Sequence, residues 1–351
     1  VLFVGEWGAS GRKHESMLEE IKALLGSGYS VAIMNLESGS SIHVEDQMPL
    51  NDEIQRLINQ AKVQEIFYND KAHAKLLILR DPTILEFLPF ESSDVSVGAM
   101  LIIADEYPHE RDGSDIRYLP GQCHANAETA FGVVPTWLPR DQNIRLILQL
   151  HLDSDCLHRS NWPGIASFER WHNRIYYRSM RPVVGRAALE TASRLPITQH
   201  SISKIFPTDG RFDIRILCSR GALLDDPPFK QLPTTWTVYS EEELSVQRFI
   251  DSLDYYVYYP LDDVSEFPVR HILDVIASGV VVILPRNVEH IFDEAAVYGA
   301  PAEVPGIIRY LHSDFANYTT QLARAKKALL ERFGYGVIED LVTEYSEELA
   351  G

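Results

Sequence analysis

The sequence predicts an α/β protein made of two doubly wound parallel sheets, one in each half of the chain. Three observations carry that expectation. Short runs that are apolar throughout alternate with amphipathic helical stretches, the pattern of strands buried on both faces by crossover helices. The alternation stops at residues 151–180 and then restarts. The length, 351 residues, exceeds one ordinary domain and suits two.

The elements follow in order. Residues 1–4 read as a buried strand. A helix over 15–25 comes next, with Met17, Leu18, Ile21, Leu24 and Leu25 on one face. A strand at 30–36 precedes a helix at 51–60, for which Asn51 is the expected N-cap. Further strands are expected at 63–67, 75–79 and 100–104, and helices at 122–131 and 141–149. The stretch 151–180 is rich in aromatic and charged residues, with the turn sequence Asn161-Trp162-Pro163-Gly164, and reads as a linker or hinge. Its Trp162, Trp171, Tyr176 and Tyr177 read as hinge packing rather than a sugar-stacking platform. Beyond it, strands are expected at 181–185, 212–218 and 235–238, a helix at 241–253 and a strand at 255–259. A helix at 267–277, a strand at 280–284 and helices at 306–311, 313–333 and 337–349 complete the chain. The expected organisation is an N-terminal domain over 1–150, a linker over 151–180, and a C-terminal domain over 181–335. A final helix over 336–351 would cross back to the first domain.

Composition removes several function classes. The chain carries 32 Lys and Arg against 50 Asp and Glu, a net charge of −18. The excess is spread along the chain: 22 acidic against 12 basic residues up to residue 150, then 28 against 20. Nucleic-acid binding needs a basic stripe and none is visible. The same balance disfavours electrostatic docking on anionic lipid. Cys123, Cys156 and Cys218 are few, odd in number and widely spaced, unlike a disulfide framework or a zinc site. No apolar run approaches the ~20 residues of a membrane span, and no signal peptide opens the chain. A cytoplasmic location is expected. Val1-Leu2-Phe3-Val4 begins inside a strand without an initiator Met, so an upstream segment is expected to have been removed or to lie outside this chain.

Chemistry concentrates between residues 249 and 300. A buried strand ends at Pro260, an acidic loop follows, and Glu266 stands at the mouth of a helix, with Asp274 eight residues on. At ~1.5 Å per residue the two carboxylates lie at most about 12 Å apart along the axis. A sugar and a ribose separated by a diphosphate span such a gap, and the helix N-terminus between them suits phosphate. The alternative, an acidic first turn that simply caps the helix, stays open at this point.

The order of motifs in this block resembles the C-terminal domain of retaining GT-B glycosyltransferases of the family-four type. Leu253-Asp254-Tyr255-Tyr256-Val257-Tyr258 matches the strand before the family's E-x7-E motif. Glu266 and Asp274-Val275-Ile276-Ala277-Ser278-Gly279-Val280-Val281-Val282 match that motif and the strand after it. Asp293-Glu294-Ala295-Ala296-Val297-Tyr298 completes the order, and Arg181-Pro182-Val183-Val184-Gly185-Arg186 matches the domain's first strand and "GR" turn. The match covers residues 181–335. In the first half, Ala130-Phe131-Gly132-Val133-Val134-Pro135-Thr136-Trp137 is similar to bacterial polysaccharide glycosyltransferases, over that run alone.

The resemblance implies two facing Rossmann-like domains with a cleft between them. It implies metal-independent transfer of a hexosyl-type sugar from a nucleotide diphosphate donor to the hydroxyl of an acceptor glycan or glycoconjugate, with retention, in polysaccharide or glycoconjugate synthesis. No cofactor is implied beyond the nucleotide sugar, which is a substrate. By resemblance Glu266 meets the transferred sugar and Asp274 the ribose. Arg186 and Arg194 hold the diphosphate, with Arg194 replacing the usual Lys, and Gly185, Phe267 and Val269 line the donor site. Two departures stand out. The second acid is Asp274 where Glu is usual, and Val269 puts a side chain where Gly normally lets the backbone approach the donor. They motivate the alternative of a catalytically degenerate GT-B domain that serves as a binding or scaffold subunit. An epimerase on the same architecture is a third reading.

Gly5-Glu6-Trp7-Gly8-Ala9-Ser10-Gly11 follows a strand and precedes a helix, the position of a loop at the ligand edge of such a sheet. It lacks both G-x-G-x-x-G and a Walker motif. Trp7 and Gly8 are candidates for the sugar or acceptor side, with a plain flexible turn as the alternative. His124 is a further candidate for that side, with helix packing as its alternative. Asp153-Ser154-Asp155 spells D-x-D, which arises readily by chance in an acidic chain, and no metal site is expected.

Overall fold

A computed structural model of the chain describes residues 1–8, 12–36, 49–86, 92–109, 115–162, 164–166, 174, 176–177, 179–188, 199–218, 233–260 and 267–348. Two compact units are present. Unit 1 comprises Val1–Ile165 with Gly334–Gly351, and unit 2 comprises Ala166–Phe333.

Unit 1 runs β1 (Leu2–Gly5), α1 (Arg12–Gly26), β2 (Val31–Asn35), α2 (Asp52–Asn59), β3 (Val63–Glu65), β4 (His73–Arg80), β5 (Ser96–Ala104), α3 (Pro120–Phe131), β6 (Thr136–Pro139) and α4 (Gln142–Leu148). Unit 2 runs β7 (Val183–Ala188), α5 (Gln199–Ile205), β8 (Asp213–Cys218), β9 (Trp236–Tyr239), α6 (Val246–Asp251), β10 (Tyr255–Val257), α7 (Val269–Ala277) and β11 (Val281–Leu284). It continues with α8 (Glu289–Phe292), β12 (Val297–Tyr298), α9 (Val304–Ser313) and α10 (Phe315–Phe333). The last helix, α11 (Tyr335–Glu348), belongs to unit 1.

Among the described residues both sheets have six strands and the same winding. Unit 1 has the order β3-β2-β1-β4-β5-β6 and unit 2 the order β12-β11-β10-β7-β8-β9, with every pairing parallel. Side chains on a strand alternate between faces, so each sheet feeds two apolar layers. Leu2 and Val4 of β1 enter one layer and Phe3 the other. In unit 2, Tyr256 of β10 enters one layer while Tyr255 and Val257 enter the second.

Local chemistry explains the boundaries. Asn51 caps α2 as expected, its Oδ1 accepting from the Glu53 N–H at 2.9 Å. The helix expected over 241–253 begins only at Val246, because residues 240–244 form a turn. There the Glu243 carboxylate accepts from the Ser240 N–H at 2.9 Å and Leu244 N–H bonds the Ser240 carbonyl. Strands β6 and β12, of four and two residues, carry too few residues to show a period.

The stretch 151–180 supplies core to both units. Trp162 and Ile165 are buried in unit 1 and Ala166 in unit 2. Arg145 of α4 ties residues 158–161 down: its Nε donates to Asn161 Oδ1 at 2.8 Å, and its Nη atoms donate to the carbonyls of His158 and Ser160. Helix α11 buries Ile338, Leu341, Val342 and Tyr345 in the layer that holds α1. Tyr335 Oη donates to Glu19 at 2.7 Å, and Tyr29 and Thr343 share a hydrogen bond.

Candidate active site

Doubly wound sheets bind ligands at the carboxyl ends of their strands, where the winding reverses. In unit 1 the chain builds β1, β2 and β3 to one side and then β4, β5 and β6 to the other, so the reversal lies between β1 and β4. In unit 2 it lies between β7 and β10. An arginine stands at each reversal: Arg80 ends β4 and Arg186 is near the end of β7.

In unit 2 the Arg186 side chain is fully enclosed. Its Nη1 donates to the Tyr259 carbonyl at 2.7 Å, and its guanidinium carbon lies 4.5 Å from the centre of the Tyr258 ring, a cation–π contact. Burial lowers its pKa from the ordinary value, opposed by Tyr258 and Tyr256. Tyr256 Oη shares a 2.8 Å hydrogen bond with His271 Nε2 in the first turn of α7, and burial raises the Tyr256 phenol far above its usual range. Phe267 packs edge-on against Tyr258 at 5.1 Å between centroids. Pro268 precedes α7 without a side-chain cap, so the first N–H groups of the helix rely on other partners. One turn in, Arg270 Nε lies 3.4 Å from Asp274 Oδ1.

Unit 1 contains a pocket lined by Glu6, Met17, Arg80, Asp81, Pro82, Asp105 and Glu106. Apart from Met17 on α1, these residues directly follow or end β1, β4 and β5. Arg80 is buried, and each of its three guanidinium nitrogens meets a carboxylate. Nε donates to Asp105 at 3.0 Å, Nη2 to the same carboxylate, and Nη1 to Glu20. Glu20 is fully buried on α1 and also accepts from the Trp162 indole at 3.2 Å. Burial raises its pKa, a shift that Arg80 opposes. Asp81 has a positive φ of 69°, and its Oδ1 accepts from the Thr83 hydroxyl at 2.6 Å.

No family model matches the sequence, and no curated protein does. Solved structures do match over the full chain. The chain is similar to WaaG, a glycosyltransferase involved in lipopolysaccharide biosynthesis, with TM-score 0.55 and 9 % identity over 100 % of this chain and 99 % of that one. An α-glucosyltransferase in complex with UDP and a 13-mer DNA containing an HMU base gives 0.61 and 10 %, covering 99 % and 98 %. HepE of Anabaena, in complex with UDP-glucose, gives 0.57 and 9 % over 99 % of each chain. The fold is GT-B.

Within this GT-B chain the expected donor residues fall around the reversal in unit 2. Arg186, Phe267 and Val269 lie there, and Asp274 faces Arg270 across one turn of α7. Glu266 and Arg194 lie outside the described residues. Gly185 has a packing role: a Cβ there would come within 2.7 Å of the Arg215 carbonyl and of Leu253.

The expected acceptor-side residues sit differently. Trp7 is fully buried in the unit 1 core, its indole donating to the Met34 carbonyl at 3.1 Å and its backbone N–H to Asn35 Oδ1. Gly8 forms a bridge with Leu50. His124 Nδ1 accepts from the Trp137 indole at 3.2 Å, which fits the packing alternative. From that loop it is Glu6 that reaches the pocket.

Sequence reasoning passed over Arg80, Asp105, Glu106 and Glu20 in unit 1, and Arg270 and His271 in unit 2. A signal was present. Arg80-Asp81 and Asp105-Glu106 each close an apolar strand, and charge at the carboxyl end of a buried parallel strand marks the ligand edge.

Proposed function

We propose that the protein is a metal-independent retaining glycosyltransferase that moves a sugar from a nucleotide diphosphate donor to an acceptor hydroxyl. The observation that carries the reading is the reversal point of unit 2. A buried arginine on β7, an aromatic wall and the N-terminus of α7 meet there, in a chain with GT-B architecture along its whole length. Unit 2 takes the donor. Arg186, Arg194 and the N-terminus of α7 balance the charge that grows on the diphosphate, which supplies most of the transition-state stabilisation without a metal. Glu266 contacts the transferred sugar, and Asp274 accepts from the ribose hydroxyls. Unit 1 takes a glycan or glycoconjugate acceptor rather than nucleic acid, in keeping with the acidic chain. The bond from the sugar C1 to the diphosphate oxygen breaks with its electron pair on the diphosphate. The acceptor oxygen bonds to C1 on the face just vacated, and its proton goes to the departing phosphate.

Asp274 and Val269 favour one other reading. Asp274 already faces Arg270, and Val269 places a side chain at the start of α7, so a degenerate subunit that binds without turnover is the competitor. Product analysis by NMR with a panel of nucleotide sugars and simple glycosides separates the readings. A new glycoside with the donor's anomeric configuration, together with free nucleoside diphosphate, is expected. Donor consumption that yields an epimer without an acceptor, or no consumption at all, contradicts the proposal.

A further inference from the structure

Tyr256 and His271 form a hydrogen-bonded pair beside Arg186, and their geometry accommodates a change of proton. Tyr256 is fully enclosed on β10, and its Oη lies 2.8 Å from His271 Nε2 in the first turn of α7. The same hydroxyl accepts from the Ala187 N–H at 3.3 Å and lies 3.4 Å from the Ala187 carbonyl, one residue beyond Arg186. His271 itself is half-buried.

A phenolic hydroxyl both donates and accepts, so the pair is satisfied in two proton states. With His271 neutral, the Oη–H donates to Nε2. With His271 protonated, Nε2–H donates to Oη, and the Oη–H turns to the Ala187 carbonyl. Neither state leaves the hydroxyl or Nε2 without a partner. Burial holds the Tyr256 phenol far above its usual range. The imidazole is therefore the member that gains and loses charge, as imidazoles do between about pH 5 and 8.

Among the described residues, the charged and titratable groups around the pair are Arg186 and Tyr258, with Arg270 and Asp274 paired on α7 itself. Helix α10 also packs on α7, and the residues that it buries in that layer, Ala325, Ala328, Leu329 and Phe333, carry no charge. Arg186 is close enough to act on the Tyr256 phenol, so an imidazolium at His271 meets like charge before a donor arrives. A diphosphate beside both cations relieves that repulsion and favours the protonated form.

We propose that His271 is a proton-gated ligand of the donor diphosphate, adding a second positive charge to that of Arg186, and that Tyr256 is its positioning residue. The choice of ligand rests on the glycosyltransferase reading; the two proton states rest on the pair itself.

Isothermal titration of the full chain tests this with UDP-glucose, GDP-mannose and ADP-glucose, whose phosphates are diesters and do not titrate near neutral pH. The donor that binds should do so about tenfold more tightly at about pH 6 than at about pH 8.5, the size of one charged hydrogen bond. Titration at about pH 7 in PIPES and in Tris, which differ in ionisation enthalpy, should show net proton uptake on binding. In His271→Gln, which keeps a hydrogen-bonding side chain opposite Tyr256, the ratio should fall to about one and the uptake should vanish. Tyr256→Phe keeps the ring in the core and should shrink both effects severalfold by freeing the imidazole. A ratio or uptake that survives in His271→Gln would overturn the inference, and effects unchanged in Tyr256→Phe would overturn the positioning role. Binding without pH dependence in wild type would overturn the inference and leave the glycosyltransferase reading standing. Absence of nucleotide-sugar binding at every pH would overturn both.

Discussion

Arg186 lies with its guanidinium carbon 4.5 Å from the centre of the Tyr258 ring while its Nη1 donates to the Tyr259 carbonyl, fully out of contact with solvent. The side chain stands near the carboxyl ends of β7 and β10, where the winding of unit 2 reverses. Substituting Met at Arg186 keeps most of the volume and removes the charge. Nucleoside diphosphate binding should weaken by about 1.5–3 kcal/mol, the range of a hydrogen bond to a charged group. Calorimetry with the folded variant checks this, and an unchanged affinity would remove Arg186 from the donor site.

Asp274 makes a prediction that separates a ribose contact from a helix contact. A 2′-deoxynucleotide should bind wild type roughly tenfold more weakly than its ribonucleotide, the effect of one lost hydrogen bond. In Asp274→Ala the two nucleotides should bind alike. A discrimination that survives the substitution means that Asp274 serves only Arg270.

Gly185→Ala should destabilise the chain by about 1–3 kcal/mol, the usual cost of overpacking. The new Cβ would come within 2.7 Å of a backbone carbonyl, and a carbonyl within a parallel ladder has little room to move. Chemical denaturation followed by tryptophan fluorescence reads the effect; wild-type stability would refute the packing role.

Glu20 gives a pH dependence with a definite sign. Burial raises its pKa in the folded chain above the ordinary 4.5. Between those two values the folded chain holds a proton that the unfolded chain has released. Stability from this group is therefore present at and below pH 4.5 and declines as pH rises toward the folded value. Glu20→Gln should flatten that decline in pH-dependent melting curves. An equal decline in the variant would assign the effect to other groups.

The sheets were legible because β1, β10, β11 and the 100–104 part of β5 are apolar along their length, and a parallel strand covered on both faces must be. The helix expected after the acidic loop was legible from its apolar spacing, and α7 does begin at Val269, while Glu266 lies outside the described residues. Trp7 misled for a physical reason. A tryptophan in a glycine-rich loop suggests a ligand platform, yet its indole satisfies a buried carbonyl of β2. The charged cluster beside the pocket of unit 1 was illegible because Glu20, Arg80, Asp105 and Trp162 are brought together from four separate segments, and no local pattern encodes such a meeting.

Unit 2 is proposed as a nucleotide site. Isothermal titration of the full chain with UDP, GDP, ADP, CDP and TDP tests it most directly. One of these should bind well below millimolar with a stoichiometry of one, and the affinity should fall in Arg186→Met. Failure of all five to bind would contradict the account.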